Sequence, residues 1–405
     1  MSGGPGGLTR WDVNGLNSSP VSWRRASAVV VLLALGGCSV FQPKQPPPPP
    51  APPPAPKYAD PLATHTFPFD PKTTAVIGTL QATFAREEDT LADIARRFNL
   101  GYDEVVNANP GVDPWLPKGG TKIVLPTQFI LPDAAPEGVV VNLAALRLFY
   151  FPKPAKGEQR VVITMPIGIG MVGWATPTGT AKIVSKRKDP IWTPPASVRK
   201  EHAKEGDILP PQVPAGPDNP LGAFAMNLSW PTYLMHGTNK PAGVGMRASH
   251  GCIRLYPEDI ATIYPMLSIG TKVTVVNQPT LYRVQDGRMY VQSFPPHEEH
   301  PEAKAASQGK RFNKQLQDKM AQRAKQAGLM LEWPLIEQIV NGAQGVAVSV
   351  SQPTFALDTY LASARLVENT IPDGSTWDGS DRPVPTRSNP PDPVASTTGA
   401  QTAGH

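Results

Sequence analysis

The chain has 405 residues, a net charge of +5 and ordinary aromatic content, so it is long enough for two or three domains with buried cores. The positive balance is mild and no motif interleaves aromatic with basic residues, which argues against nucleic acid and leaves an anionic polymer or surface as the natural partner. Proline is abundant at 49, but the excess falls in short stretches, so it marks linkers and tails rather than one disordered chain.

Arg24-Arg25 precede an apolar run from Ala26 to Leu35. That run is too short to cross a membrane and suits a signal-peptide h-region, so residues 1–37 are read as a signal peptide. Leu35-Gly36-Gly37-Cys38 follows and resembles the lipobox of bacterial lipoproteins. The resemblance implies lipidation at Cys38, with two or three acyl chains for stable anchoring. An ordinary cleaved signal with an incidental Cys38 is the competing reading. Ser39 after the cysteine implies, by the same resemblance, a periplasmic protein anchored to the outer membrane of a Gram-negative bacterium. Residues 38–75 become a lipidated Pro-rich linker. Its Pro43–Pro56 stretch forms a polyproline II spacer of about 40 Å at about 3.1 Å per residue.

Residues 76–126 read as strand, helix, helix, strand. Asp89-Thr90 caps a helix whose apolar residues Leu91, Ile94, Ala95 and Phe98 follow helical spacing. A second helix runs from Tyr102 to Asn107, and Lys122–Pro126 is the closing strand. Asp-Thr-Leu-x-x-Ile-Ala, Asn107-Ala108-Asn109-Pro110 and Ile-Val-Leu-Pro resemble a LysM module. The resemblance implies binding of N-acetylglucosamine-containing glycan strands, with Asp89, Thr90, Asn107 and Asn109 at the groove. A packing domain without a ligand is the alternative. The start, Thr79-Leu80-Gln81-Ala82-Thr83, departs from the family's pattern.

Short β runs dominate from Pro136. Val139–Val141 and Leu146–Tyr150 flank a turn as in a hairpin, and Val161–Thr164, Thr180–Val184 and Thr271–Val276 add strands. Pro257-Glu258-Asp259-Ile260 opens a short helix. The 137–280 region is therefore a mainly β domain with a small helical cap.

Cys252 lies in Ser249-His250-Gly251-Cys252-Ile253-Arg254-Leu255, and His236-Gly237 precedes it. With Cys38 assigned elsewhere, Cys252 has no disulfide partner, and a free cysteine in an exported protein points to a reactive thiol. An ordinary thiol is only a few per cent ionised at neutral pH, and an imidazole beside it forms an ion pair that removes the problem. His250 shares the Cys252 face only if the segment stays extended. His236 sits at a separate strand end and is the better base. Gly251 permits a tight turn whose N–H groups stabilise an oxyanion. A zinc site of His236, His250 and Cys252 competes, but the Cys-x-x-Cys spacing of structural zinc is missing. A buried, inert cysteine is the other competitor.

His-Gly-(x)14-Cys within Ser-His-Gly-Cys-Ile-Arg-Leu resembles the signature of YkuD-type L,D-transpeptidases of the ErfK/YbiS/YcfS/YnhG group. Pro177-Thr178-Gly179, Trp192-x-Pro194-Pro195 and Gly216–Gly222 extend the match. The resemblance implies a YkuD-like β-sandwich that needs no cofactor and no metal. It implies His236 as base, oriented by the Gly237 carbonyl, and Cys252 as nucleophile. The thiol would attack the diaminopimelate–D-Ala bond of a tetrapeptide stem. An amine would resolve the thioester, from a second stem or from the terminal Lys of a Braun-type lipoprotein. Amides near His250, Gly251 and Cys252 would bind the oxyanion, with Ser249 and His250 positioning the nucleophile. Arg254 suits a substrate carboxylate by bidentate pairing, or serves as a structural ion pair. A thiol hydrolase with the same site, and a non-catalytic wall-anchoring protein, are the other readings.

Residues 186–222 are long, Pro-rich and basic, with Lys186, Arg187, Lys188, Arg199 and Lys200, as in a lid suited to anionic stems or a solvated loop. Residues 281–370 form a C-terminal extension packing on the catalytic domain, with a basic helix from Ala303 to Gln326, a helix near Leu335–Val340 and a strand at Val346–Val350. The composition of 371–405 predicts disorder.

Overall fold

The computed structural model describes residues 65–204, 206–297 and 311–370. The signal segment, Cys38, the proline-rich spacer, the first part of the basic helix and the 371–405 tail lie outside the described residues.

Nine strands form one sheet, in the order Thr66–Pro68, Val161–Pro166, Arg147–Phe151, Gly138–Asn142, Lys272–Val276, Gly179–Lys188, Phe224–Leu228, Leu234–His236 and Ile253–Arg254. The pairings are antiparallel except Lys272–Val276 with Gly138–Asn142 and Leu234–His236 with Ile253–Arg254. Side chains from near both ends of this order, such as Leu148 and Met235, share one core cluster, so the sheet curls over itself. Helix Pro257–Ile263 plugs the curl with Ile260 and Ile263. Lys186 donates to the carbonyls of Tyr264 and Leu267 at that helix's end and lies over the Tyr264 ring, where a cation meets the negative helix terminus. This corrects its expected place among the substrate-facing charges.

The hairpin strands read as continuous apolar runs because both faces are buried. Val139, Val141, Leu148 and Tyr150 face the curled core. Val140, Phe149, Phe151 and Val162 face a second core made with Leu91, Ile94, Leu100 and Phe129. The small module therefore packs on the outer face of the catalytic sheet. Its strand–helix–helix–strand order is present: Gln81–Phe84, Leu91–Arg97, Tyr102–Ala108 and Lys122–Leu125. Thr90 caps the first helix through a reciprocal pair with Asp93.

Two boundaries move. Residues 65–75 belong to the fold rather than to a linker: Thr66–Pro68 joins the catalytic sheet by pairing with Val161–Ile163, and Phe67 and Phe69 enter the second core. The C-terminal extension packs on the module as well as on the catalytic hairpin. Leu80 and Ala108 share a core with helix Trp333–Gly342, while Ala144 and Ala145 meet Leu281 and Phe294. Arg365–Leu366 adds a parallel strand to the module's Gln81–Ala82. The expected strand at 346–350 is shorter, Val348–Ser349, and the basic helix spans Lys314–Gln326.

Polar contacts weld the module to the catalytic domain. Arg147, 1% exposed, forms a two-pronged pair with Glu104 at 2.8 and 2.7 Å, donates to the Asn99 carbonyl and lies 4.1 Å over the Phe129 ring. Arg96 pairs with Glu258 at 2.8 Å through two nitrogens. The amides of Tyr102 and Asp103 donate to the carbonyls of Val244 and Gly245. That approach needs glycine on both sides, since a Cβ at Gly101 would lie 2.6 Å from the Gly245 Cα.

Asp103, at this contact, is raised to about 6 by burial and then by Glu104, against the pull of Arg247. The folded state thus holds a proton that the unfolded state has released above about pH 4. Stability falls as pH rises from about 4 to about 6, and the loss persists at neutral pH. Asp103→Asn is expected to gain about 1–2 kcal/mol at pH 7.5, allowing for solvent screening, and nothing at pH 4. Urea titrations at the two pH values check this.

Candidate active site

Met235 lies opposite Ile253, and His236 opposite Arg254, in the parallel pair that ends the sheet. Strand alternation puts Leu234, His236, Cys252 and Arg254 on one face and Met235, Ile253 and Leu255 on the other. The second set is core. The first set lines a cavity of about 350 Å³, whose opposite wall comes from Ile191, Trp192 and Val198 of the 189–223 insertion. Sequence reasoning picked His236 and Cys252, and the fold brings them into one cavity.

His236 is 3% exposed, with Nδ1 2.6 Å from the Gly237 carbonyl oxygen. A carbonyl only accepts, so Nδ1 carries the proton and Nε2 keeps the basic lone pair. Gly237 thus orients the imidazole as expected. Burial, then the Arg254 charge, outweigh that hydrogen bond and hold the imidazole down at about 3. Burial pushes the Cys252 thiol up, against the Leu234 backbone N–H and the Arg254 charge. The thiol contacts the Thr232 carbonyl at 3.8 Å, and Thr232 has a left-handed φ of 72°.

Both shifts favour the neutral thiol and the neutral imidazole at rest. Burial thus works against the expected thiolate–imidazolium pair. A neutral imidazole with a free Nε2 lone pair has the form a general base needs. Alkylation of Cys252 by iodoacetamide is expected to climb with pH beyond the ordinary thiol range, without the plateau between pH 5 and 8 that a standing ion pair gives. A pH–rate profile checks it.

The catalytic turn is tied from within. Ser249, 1% exposed, donates to the Cys252 carbonyl at 2.6 Å and accepts the Gly251 N–H at 3.2 Å. Gly251 has φ of 99°, and a Cβ there would lie 2.8 Å from the Tyr233 ring. Thr176 donates to the Gly251 carbonyl at 2.8 Å and accepts the Gly170 N–H. With its N–H engaged by Ser249, Gly251 drops out of the expected oxyanion donors. The amides of His250 and Cys252 have no backbone acceptor among the described residues.

His250 lines the same cavity, with its Nε2 3.0 Å from Glu201. The Arg254 Nε is buried without a hydrogen-bond partner, and no carboxylate lines the cavity among the described residues. Arg187 lines it too, with Nη2 donating to Asn227 at 2.7 Å. The cavity thus presents two guanidinium groups to an anion.

The expected glycan residues fare differently. Asp89, 2% exposed, bonds Arg97, the Arg86 amide and Asn369. Asn109, 6% exposed, bonds the Val105 carbonyl and both backbone groups of Val124. Both side chains are engaged inside the fold, which corrects their groove assignment. Thr90 and Asn107 are half-buried. Sequence reasoning also missed Thr176, Thr232, Trp174 and Glu201, which reach the site from distant segments and belong to no local motif.

A curled β domain with a thiol, an oriented imidazole and a glycine turn in one cationic cavity defines a thiol acyl-transfer class of site. Residues 136–275 match the L,D-transpeptidase catalytic domain, YkuD. The chain is 39% identical over 235 residues to a probable L,D-transpeptidase ErfK/SrfK of Salmonella typhimurium LT2, covering 57% of this chain and 74% of the relative. It is 42% identical over 224 residues to probable YcfS of Escherichia coli K12, covering 54% and 69%. It is 40% identical over 235 residues to probable YbiS of the same strain, covering 57% and 75%. The chain belongs to the L,D-transpeptidase family, in the ErfK/YbiS/YcfS group.

Proposed function

We propose that Cys252 is the nucleophile and His236 the base of a peptidoglycan L,D-transpeptidase. The observation that carries this is the shared cavity face of His236 and Cys252, with Nδ1 engaged by Gly237 and Nε2 left basic. Sγ attacks the carbonyl of the diaminopimelate–D-Ala bond. Nε2 takes the thiol proton and passes it to the leaving D-Ala amine. A thioester remains, and an amine from a second stem or from a lipoprotein lysine displaces the sulfur. The amides of His250 and Cys252 hold the oxyanion. Arg254, with Arg187 beside it, receives the donor's carboxylates.

The further assignments are ours on sequence grounds. Residues 76–126 form a LysM-like glycan-binding module, with Thr90 and Asn107 as its remaining candidate contacts. Cys38 carries the lipid anchor, and the enzyme works in the periplasm, tethered to the outer membrane.

The test is incubation with purified disaccharide-tetrapeptide, with and without a Lys-ending lipoprotein peptide, read by mass spectrometry. Loss of D-Ala with a dimer or peptide adduct supports transfer and names the acceptor. Loss of D-Ala with only free tripeptide moves the enzyme to the hydrolase reading. No conversion removes the catalytic assignment.

A further inference from the structure

The 189–223 insertion is anchored at its base. Asn219, fully buried, donates to the carbonyls of Pro190, Val213 and Pro214, and Trp192 bridges to Val213. Its helix, Ala196–Lys204, buries only Val198, at 3% exposure, and does so in the cavity wall. One apolar side chain is little to hold a nine-residue helix in place.

The helix instead meets the catalytic turn. Glu201 Oε2 lies 3.0 Å from His250 Nε2, and a carboxylate only accepts, so Nε2 carries a proton and donates. The His202 ring lies 5.9 Å from that of His250 and is itself held by Asp207 at 2.8 Å. Trp174 meets the His250 ring edge-on at 4.9 Å. His250 is thus clamped between Trp174 and the insertion helix, two residues from the thiol.

We propose that Glu201 is a positioning residue that latches the insertion helix over Cys252 through His250, and so keeps water from the thioester while the acceptor amine arrives. The kinetic part rests on the proposed function. Two displacements compete at the acyl carbon. With an amine, the C–S bond breaks, a C–N bond forms, and the amine proton returns to sulfur. With water, the C–S bond breaks, a C–O bond forms to give a free carboxylic acid, and a water proton returns to sulfur. A closed wall disfavours the second.

The experiment uses the full chain carrying Cys38→Ser, so that Cys252 is the sole thiol, with Glu201→Ala, Glu201→Gln, His250→Ala and the Glu201→Ala/His250→Ala double variant. The first arm measures alkylation by a bulky polyethylene-glycol maleimide against small iodoacetamide. Glu201→Ala is expected to speed the bulky reagent about tenfold, equivalent to ~1.4 kcal/mol, and the small one far less. Glu201→Gln keeps an acceptor for Nε2–H and stays near the parent. In the His250→Ala background, Glu201→Ala adds nothing. Equal rates in parent and Glu201→Ala overturn the latch, and so does an additive effect in the double variant. A uniform rise for both reagents with a lowered melting temperature also overturns it, as local unfolding. The second arm measures transferred against hydrolysed product, where Glu201→Ala is expected to raise the hydrolysed share several-fold. An unchanged ratio overturns the water-exclusion role. If the parent releases no D-Ala, the proposed function fails while the alkylation arm still reads the latch.

Discussion

Cys252→Ala is expected to lower D-Ala release and transfer by at least ~10³-fold, with little change in melting temperature. The side chain is half-buried on a cavity wall, so its loss leaves no closed void in the core. His236→Ala is expected to cost roughly 10²–10⁴-fold, the range for a positioned general base. The two losses are not additive, because the imidazole acts only through the thiol. Cys252→Ser should be nearly as inactive as alanine, since a neutral imidazole held at about 3 is a weak base for a hydroxyl. Single-turnover assays on tetrapeptide donor check all three. A His236→Ala variant with parental rates would remove the base assignment.

Glu104→Ala is expected to destabilise the fold by about 3–5 kcal/mol, because it strands the Arg147 guanidinium in a dry site. Arg147 is 1% exposed, with Asn99, Thr164 and the Phe129 ring as its other partners. None of these can neutralise a charge. For a domain of this size the melting temperature should fall by roughly 2–4 °C per kcal/mol. Adding Arg147→Met should recover most of the loss, since an apolar side chain of similar volume carries no unpaired charge. Denaturant titration of the two single variants and the double variant closes the cycle. Equal stability of Glu104→Ala and parent would show that the guanidinium finds water or another acceptor. Activity should fall with stability, because the helix beginning at Tyr102 holds the Val244–Gly245 backbone that leads into Ser249.

Much of the site is written in local sequence. The glycines and the Ser-His-Gly-Cys run demand a tight turn around a thiol wherever they are placed. The hairpin runs at Val139–Val141 and Leu146–Tyr150 announce strands, and their lack of alternation announces burial on both faces. The sequence favours His236 over His250 on strand geometry alone. Asp89 and Asn109 were misread because a polar residue at a loop looks the same whether it faces a ligand or the chain's own backbone. Asn369, 280 positions away, decides the matter for Asp89. Thr66–Pro68 was hidden because a three-residue strand beside a proline-rich segment carries no period of its own.

By itself, then, the sequence determined the family and the β and helical segments and singled out the two candidate reacting groups, because each depends on residues within one turn or strand. Tertiary structure decided the rest. It set the burial that favours neutral thiol and neutral imidazole, because protonation answers to the surroundings as a whole. It joined the small module, the catalytic sheet and the C-terminal strand through shared cores, because apolar faces pair with whatever face the chain returns to them. It also set Glu201 against His250, a contact across 49 positions that no local pattern encodes.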